Sequence, residues 1–283
     1  MAKLLATDLD GTLFYPKRRI RMISNKTVAL IQKFIDEGNK FVVVSGRNSG
    51  PANRVYRRIK RPGFAIGCNG SFITESGEFI KKTTFVPETI QKVIDFVTSR
   101  FHIHGVYVMS DNDELILRKP LKPFFYRIVY RFWYWYQGAL RNQIKVSKKR
   151  FDEIINTGHA MKIMFLFGVG QKNIKVSQES NKEIYKQFGN EVETSWSNEF
   201  IEVSPLGCSK SNGLKFLTDY LKIHHDDVFV VGDSGNDISM FKEYQENSFC
   251  MSHAPLSVSK YAKHTLTKFE DIEQYLYDEK ERK

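Results

Sequence analysis

The 283-residue sequence predicts an α/β fold, a doubly wound parallel sheet into which an α+β domain is inserted. Three observations predict it. Short apolar runs at 3–8, 40–45, 64–67 and 227–231 suit strands covered on both faces. Helical periodicity separates these runs, giving the strand–helix–strand order of right-handed crossovers. Between 84 and 204 the pattern changes to hairpins and single strands mixed with helices.

The first strand is Lys3-Leu4-Leu5-Ala6-Thr7-Asp8, which turns polar at its end. Ser24-Asn25 then precede Val28, Ile31, Phe34 and Ile35, with Gly38 after them: an N-cap, one apolar face and a C-terminal stop. Lys40 to Ser45 is the second strand, 52–60 a basic helix, and Phe64 to Gly67 the third strand. Phe72-Ile73-Thr74 and Glu78-Phe79-Ile80 flank Glu75-Ser76-Gly77 and read as a hairpin. A helix is expected at about 87–100, and strands at 106–108 and 115–117. Met161 to Phe167 is a strand, 172–188 a helix and Phe200 to Val203 a strand. The core pattern returns after Pro205. A helix opens at Lys210-Ser211-Asn212, and Asp227 to Val231 is the clearest buried strand. A helix over 237–244, a strand over 248–251, and helices at 257–263 and 270–279 complete the chain. The expected domains are therefore 1–83 and 205–283 for the core, and 84–204 for the insertion.

Composition excludes several classes. Hydrophobic residues at 41% and charged residues at 27% are ordinary globular usage, not disorder. No window approaches the ~18 apolar residues of a membrane span, and Asp8 interrupts the first apolar run too early for a secretory leader. Cys68, Cys208 and Cys250 form no C-x-x-C pair, which excludes a disulfide scaffold and fits a reducing cytoplasm, the expected location. The net charge of +11 favours anionic partners, but it is uneven. Residues 1–83 hold 16 basic and 6 acidic side chains, whereas 205–283 hold 10 and 13, so local clusters need local explanations.

Three strand ends carry chemistry, and sites in open parallel sheets form beyond the carboxyl ends of strands. The first is Asp8-Leu9-Asp10-Gly11-Thr12-Leu13. Carboxylates at i and i+2 can face one way, repel, and split into nucleophile and acid. Gly11 allows the tight turn that aims backbone N–H groups at an anion. Alone, the pair could equally be two solvated loop acids. The second is Ser45-Gly46-Arg47, a hydroxyl and a guanidinium suited to phosphate oxygens, or an ordinary turn. The third is Gly232-Asp233-Ser234-Gly235-Asn236-Asp237, in which Asp237 could also be a plain N-cap. Several carboxylates on one side of an octahedral ion suit Mg²⁺.

Taken together and in this order, Asp-Leu-Asp-Gly-Thr-Leu, Ser-Gly-Arg, an isolated Lys210 opening a late helix, and Gly-Asp-Ser-Gly-Asn-Asp resemble the haloacid dehalogenase (HAD) superfamily. Cys68-Asn69-Gly70, the large insertion and Met251-Ser252-His253-Ala254 resemble its Cof-type phosphatase branch, with the subclass IIB cap. Ser211-Asn212-Gly213 after Lys210, and Cys250 and His253 in the late segment, depart from that branch; His253 reads as a surface histidine.

The resemblance implies a Rossmann-like core and a Mg²⁺-dependent phosphatase of small phosphorylated metabolites, sugar phosphates being the broadest guess. Asp8 would be the nucleophile that forms an aspartyl-phosphate, and Asp10 the acid and then the base. Mg²⁺ would be held by Asp8, the Asp10 carbonyl and Asp233, with Asp237 orienting the set or binding through water. Ser45, Lys210, Asn236 and Arg47 would contact phosphate or substrate, with backbone N–H groups near Leu9, Gly11 and Gly46. The insertion would be a cap that closes over the site and chooses the leaving group.

Within it, 118–150 holds ten basic residues and no acid, and 123–136 holds nine aromatics. A cap helix with a buried apolar face is the favoured reading. Substrate lining, an oligomer contact or a membrane-surface element are the others. The competing functions are a phosphomutase or phosphotransferase of the same fold and a non-catalytic basic binder of membranes or nucleic acid. The intact set Asp8, Asp10, Asp233 and Asp237 argues against the binder, so no nucleic-acid partner is expected. A monomer or homodimer is expected.

Overall fold

A computed structural model describes residues 2–16, 23–118, 144–168, 171–197 and 200–277. Arg18, Arg19 and Arg21 lie outside the described residues. So does 119–143, the larger part of the basic aromatic stretch with Arg127, Arg131, Trp133 and Trp135. The chain divides into two compact units, Met1–Lys81 with Ser209–Lys283, and Lys82–Cys208.

The first part of the core runs β1 (Leu4–Thr7), α1 (Asn25–Asp36), β2 (Lys40–Val44), α2 (Ser49–Ile59), β3 (Phe64–Gly67), β4 (Phe72–Glu75) and β5 (Glu78–Lys82). The second unit runs α3 (Pro87–Arg100), β6 (Gly105–Ser110), β7 (Leu115–Arg118), β8 (Ile144–Val146), α4 (Lys148–Asn156), β9 (Ala160–Leu166), α5 (Gln171–Phe188), β10 (Val192–Ser197) and β11 (Phe200–Pro205). The core resumes with α6 (Lys210–Leu221), β12 (Val228–Gly232), α7 (Ile238–Glu243), β13 (Ser248–Met251), α8 (Leu256–Ser259), β14 (His264–Leu266) and α9 (Glu273–Tyr277).

The core sheet has the order β14-β13-β12-β1-β2-β3-β4-β5. The six strands from β14 to β3 are parallel, and β4 turns back antiparallel on β3. Each parallel strand except the edge strand β14 is covered on both faces, because alternate residues enter different cores. Leu5, Val43, Phe229 and Val231 pack with Ile31, Phe34, Val55 and Ile59 of α1 and α2. Leu4, Ala6, Val42, Val44, Val228 and Val230 pack with Leu214 and Leu217 of α6 and Met240 and Phe241 of α7. Burying each such side chain contributes roughly 1.5–3 kcal/mol. The doubly wound fold thus arises from strands too apolar to present either face to water. In α1 the Ser24 hydroxyl accepts from Thr27 N, as its N-cap position requires.

The second unit is a six-stranded sheet, β10-β11-β9-β6-β7-β8, antiparallel except for β7 with β8. One face packs Val106, Val108, Ile163, Phe165, Ile201 and Val203 against α3, α4 and α5. Lys162 and Glu202, both buried, form an ion pair at 2.9 Å on neighbouring strands of this sheet. Among the described residues no helix is long and apolar enough to cross a membrane.

Some elements differ from those read in the sequence. β8, α4, β10 and β14 were not expected, and the helices anticipated at 257–263 and 270–279 are shorter, at Leu256–Ser259 and Glu273–Tyr277. The first of these ends where Lys260 to Lys263 turn into β14. The second is preceded by a tighter turn over Phe269–Ile272.

Candidate active site

The central pair of strands sets the site. β1 lies between β12 and β2, with Thr7 in register with Val231 and Val43. Asp8 N donates to the Val231 carbonyl at 2.9 Å, which carries the pairing one residue past β1. Asp8 and Asp233 therefore emerge side by side where the strand order reverses, the usual crevice of such sheets. Ser45 and Arg47 follow β2 on the other side. Asn69 N donates to the Ser45 carbonyl at 3.2 Å and Cys68 N to the Arg47 carbonyl at 2.9 Å, tying the end of β3 to that of β2.

After Asp8 the chain makes a tight turn over Leu9–Leu13. Gly11 sits at φ +83°, in the left-handed region, and a Cβ there would lie 2.3 Å from Asp233 Oδ2. The position needs glycine twice, for its conformation and for the close approach of the carboxylate. Thr12 Oγ1 donates to Asp233 Oδ1 at 2.7 Å and fixes that carboxylate. Leu9 is buried in the core, so only its backbone could serve a ligand.

Lys210 opens α6, whose N-cap Ser209 accepts from Asn212 N. Its ammonium lies 2.6 Å from Asp8 Oδ1 and 2.6 Å from Asp237 Oδ1, with no exposure of the Lys210 and Asp237 side chains. The other oxygen of Asp237 accepts from Asp233 N at 3.0 Å, Ser234 N at 2.9 Å and Ser234 Oγ at 3.1 Å. Asp237 thus holds both Lys210 and the Asp233 turn. The single Ser234 Oγ proton is shared between Asp237 Oδ2 and Asn236 Oδ1, the latter at 2.8 Å, and Asn236 Nδ2 donates to Asn69 Oδ1 at 3.3 Å.

Asp10 stands apart from this cluster. Arg47 donates to both of its oxygens, Nη2 to Oδ1 at 2.8 Å and Nε to Oδ2 at 2.5 Å. Ser45, buried, accepts from Arg47 N at 3.1 Å. His253, read in the sequence as a surface histidine, is exposed. Its ring stacks on Tyr15 with centroids 4.0 Å apart, and Nε2 lies 3.7 Å from Asp233 Oδ2.

The electrostatics call for a cation. Burial drives the Asp8 carboxyl well above the usual range; Lys210 opposes this, and the carboxylates of Asp237, Asp233 and Asp10 add to it. Burial, with Asp237 next, pushes Asp233 up to about 7, against the Thr12 hydrogen bond. Lys210 is held above its ordinary value by Asp237 and Asp8, which outweigh its burial. One ammonium thus faces three carboxylates. Asp8, Asp233 and Asp237 can each offer an oxygen such that the three lie within 4.8 Å of one another. Oxygen donors crowded in this way, short of positive charge, fit a hard divalent ion such as Mg²⁺.

The residues read in the sequence thus fall into two groups. Asp8, Asp233, Asp237 and Lys210 form one buried network; Asp10, Arg47 and Ser45 form a second along the end of β2. Sequence reading did not single out Thr12, Tyr15 or Ser234. Thr12 carried a signal, being the hydroxyl that follows Asp10-Gly11.

The sequence pattern of the haloacid dehalogenase-like hydrolases matches residues 5–273. Among curated proteins the chain is 23% identical over 263 residues to the 5-amino-6-(5-phospho-D-ribitylamino)uracil phosphatase of Escherichia coli, covering 93% of this chain and 89% of that one. It is 24% identical over 244 residues to the pyridoxal phosphate phosphatase of the same organism, covering 85% and 84%. Among solved structures, a HAD subclass IIB sugar phosphatase superposes with a TM-score of 0.74 at 19% identity, covering 97% of this chain and 98% of that one.

Proposed function

The chain belongs to the haloacid dehalogenase-like hydrolase family and is a phosphoric monoester hydrolase, and from that premise we propose that it is a Mg²⁺-dependent phosphatase of small phosphorylated metabolites that works through an aspartyl-phosphate on Asp8. The observation that carries this reading is the buried network in which Lys210 bridges Asp8 and Asp237 beside Asp233. A solvated pair of loop acids would need neither the burial nor the lysine.

Asp8, Asp233 and the Asp10 carbonyl would hold Mg²⁺, with Asp237 orienting the set. The ion, when bound, supplies the charge that keeps Asp8 ionised and screens it from an approaching dianion. An Asp8 oxygen attacks phosphorus, and Lys210 and Ser45 hold the phosphoryl oxygens with the backbone N–H groups of Leu9, Gly11 and Gly46. Asp10 gives a proton to the leaving oxygen and then takes one from the water that cleaves the acyl phosphate. In the structure Arg47 donates to both Asp10 oxygens. Arrival of a phosphate dianion gives Arg47 another partner and frees Asp10 for its acid role. Asn236 contributes a polar contact at the edge.

The two curated relatives are named for a ribitylaminouracil phosphate and for pyridoxal phosphate. Sugar phosphates and ring-bearing phosphomonoesters of that size are accordingly the proposed substrate class. Phosphate release across a panel of such monoesters, with Mg²⁺ and with excess chelator, tests the reading. Release that needs the metal is expected, and release that persists undiminished in chelator would contradict it.

A further inference from the structure

The core also carries a cavity of about 630 Å³ bordered by the amino ends of β12, β13 and β14. Asp233 follows the carboxyl end of β12, so the strand separates the two places by about 16 Å at ~3.3 Å per residue. Cavities of about 300–1,000 Å³ are the size that buries small ligands. Nothing in the catalytic scheme uses this one. Among the described residues the acidic group able to hold a metal lies elsewhere, at Asp8, Asp233 and Asp237.

Two stacked ring pairs from separate elements border the cavity. His264 of β14 stacks on Phe249 of β13, with centroids 4.9 Å apart and planes 20° from parallel, and Tyr275 of α9 lies 4.8 Å from each. Just before β12, His225 stacks on Tyr244 at 4.8 Å and 24°. The His225 ring is also fixed by Nε2, which lies 2.8 Å from the Glu243 carbonyl. Phe249 and Tyr244 are themselves buried, so they back and fix the rings of His225, His264 and Tyr275, which are the ones open to the cavity, at little further entropic cost. The charged lining has an acidic excess, with Asp226, Asp227 and Glu246 against Lys263 alone. Lys263 is already ion-paired with Glu246. Carboxylates accept hydrogen bonds and repel phosphate.

We propose that this cavity is a second ligand site, which takes a flat, amine-bearing heteroaromatic molecule of neutral or positive charge. It discriminates against phosphorylated molecules, and it stands independently of the chemistry assigned to Asp8.

The test uses the full chain at pH 8, with adenosine as the neutral probe and AMP as its anionic counterpart. The histidine ring resonances of His225 and His264 are assigned from His225→Ala and His264→Ala and followed by NMR, so that AMP bound near Asp8 does not confuse the readout. Adenosine is expected to shift both resonances with a Kd below about 1 mM, and His264→Ala to weaken it about tenfold, the scale of one lost ring stack. AMP should shift them at least about tenfold more weakly. Glu246→Lys sits on a side chain 79% exposed, so it leaves the fold intact, and it should close the gap between the two probes. Resonances unmoved at about 5 mM adenosine would overturn the proposal, since binding that weak is below specific recognition. Equal response to AMP in the unaltered chain, or an unchanged ratio in Glu246→Lys, would also overturn it.

Discussion

Replacing Lys210 by Met removes the one ammonium that, among the described residues, bridges Asp8 and Asp237. The side chains of Lys210 and Asp237 are fully buried and that of Asp8 is 7% exposed, so the two carboxylates left behind have little water to solvate them. Taking one partner from a buried ion pair costs about 3–5 kcal/mol, because the remaining charge is uncompensated. At ~2–4 °C per kcal/mol for a unit of this size, the melting temperature at pH 8 in chelator should fall by roughly 6–20 °C. The penalty has a pH signature. The Asp8 carboxyl is already raised by burial, and Lys210 is what holds it down. Without the lysine its folded value rises further above the unfolded one, so the destabilisation is fully present at high pH and fades as pH falls and the carboxyl takes up a proton. Thermal melts of Lys210→Met at pH 8 and pH 5 measure both effects. Adding Asp237→Asn, which removes one of the orphaned charges, should recover part of the loss at pH 8. A melting point within about 2 °C of the parent at pH 8, or the same drop at both pH values, would refute the assignment of a charge-balanced network.

The remaining predictions follow from the same geometry. Asp233→Asn should stabilise the metal-free protein at pH 8 by up to about 4 kcal/mol, because a carboxyl raised to about 7 when folded and near 3.9 when unfolded is penalised as pH rises between those values. The gap should vanish below pH ~4 in melts in chelator. Gly11→Ala places a Cβ 2.3 Å from Asp233 Oδ2 in a left-handed turn, so turnover should drop about 100-fold or more, as when a reacting group is displaced by about 1 Å; near-parental turnover would contradict the cradle. Thr12→Val removes the hydroxyl that fixes Asp233 and should weaken Mg²⁺ binding about tenfold by calorimetry, the scale of one hydrogen bond to a charged group. Ca²⁺ should bind in competition with Mg²⁺ but support little turnover, because its larger and looser shell misplaces the nucleophile; Ca²⁺-supported rates equal to those with Mg²⁺ would contradict it.

The fold was legible where burial left a mark on residue type. Strands β1, β2, β3 and β12 are covered on both faces, and each is an unbroken apolar run. Strand β10, Val-Glu-Thr-Ser-Trp-Ser, is an edge strand of mostly polar residues and left no such mark. Helix α4 buries Phe151, Ile154 and Ile155 at helical spacing behind the cap residue Ser147, but it is one short helix whose first turn, Lys148-Lys149-Arg150, continues a basic run and carries no apolar residue. In the site, the carboxylates at strand ends could be placed because topology alone brings those ends together. The pairing of Asp10 with Arg47 and the stack of His253 on Tyr15 join residues 37 and 238 positions apart through side-chain rotamers, which no local pattern encodes. His253 is the surface residue that it reads as, and only its neighbours Tyr15 and Asp233 were not legible.

Trapping the phosphoryl group on Asp8 tests the central claim most directly. The protein is mixed with an excess of a phosphomonoester it hydrolyses and Mg²⁺, quenched in acid within one turnover, digested and read by mass spectrometry. A phosphoryl group on the peptide bearing Asp8, removed by hydroxylamine as an acyl phosphate and absent from Asp8→Asn, is the predicted result. Hydrolysis by Asp8→Asn at the parental rate, or a phosphoryl group on any other side chain, would contradict the account.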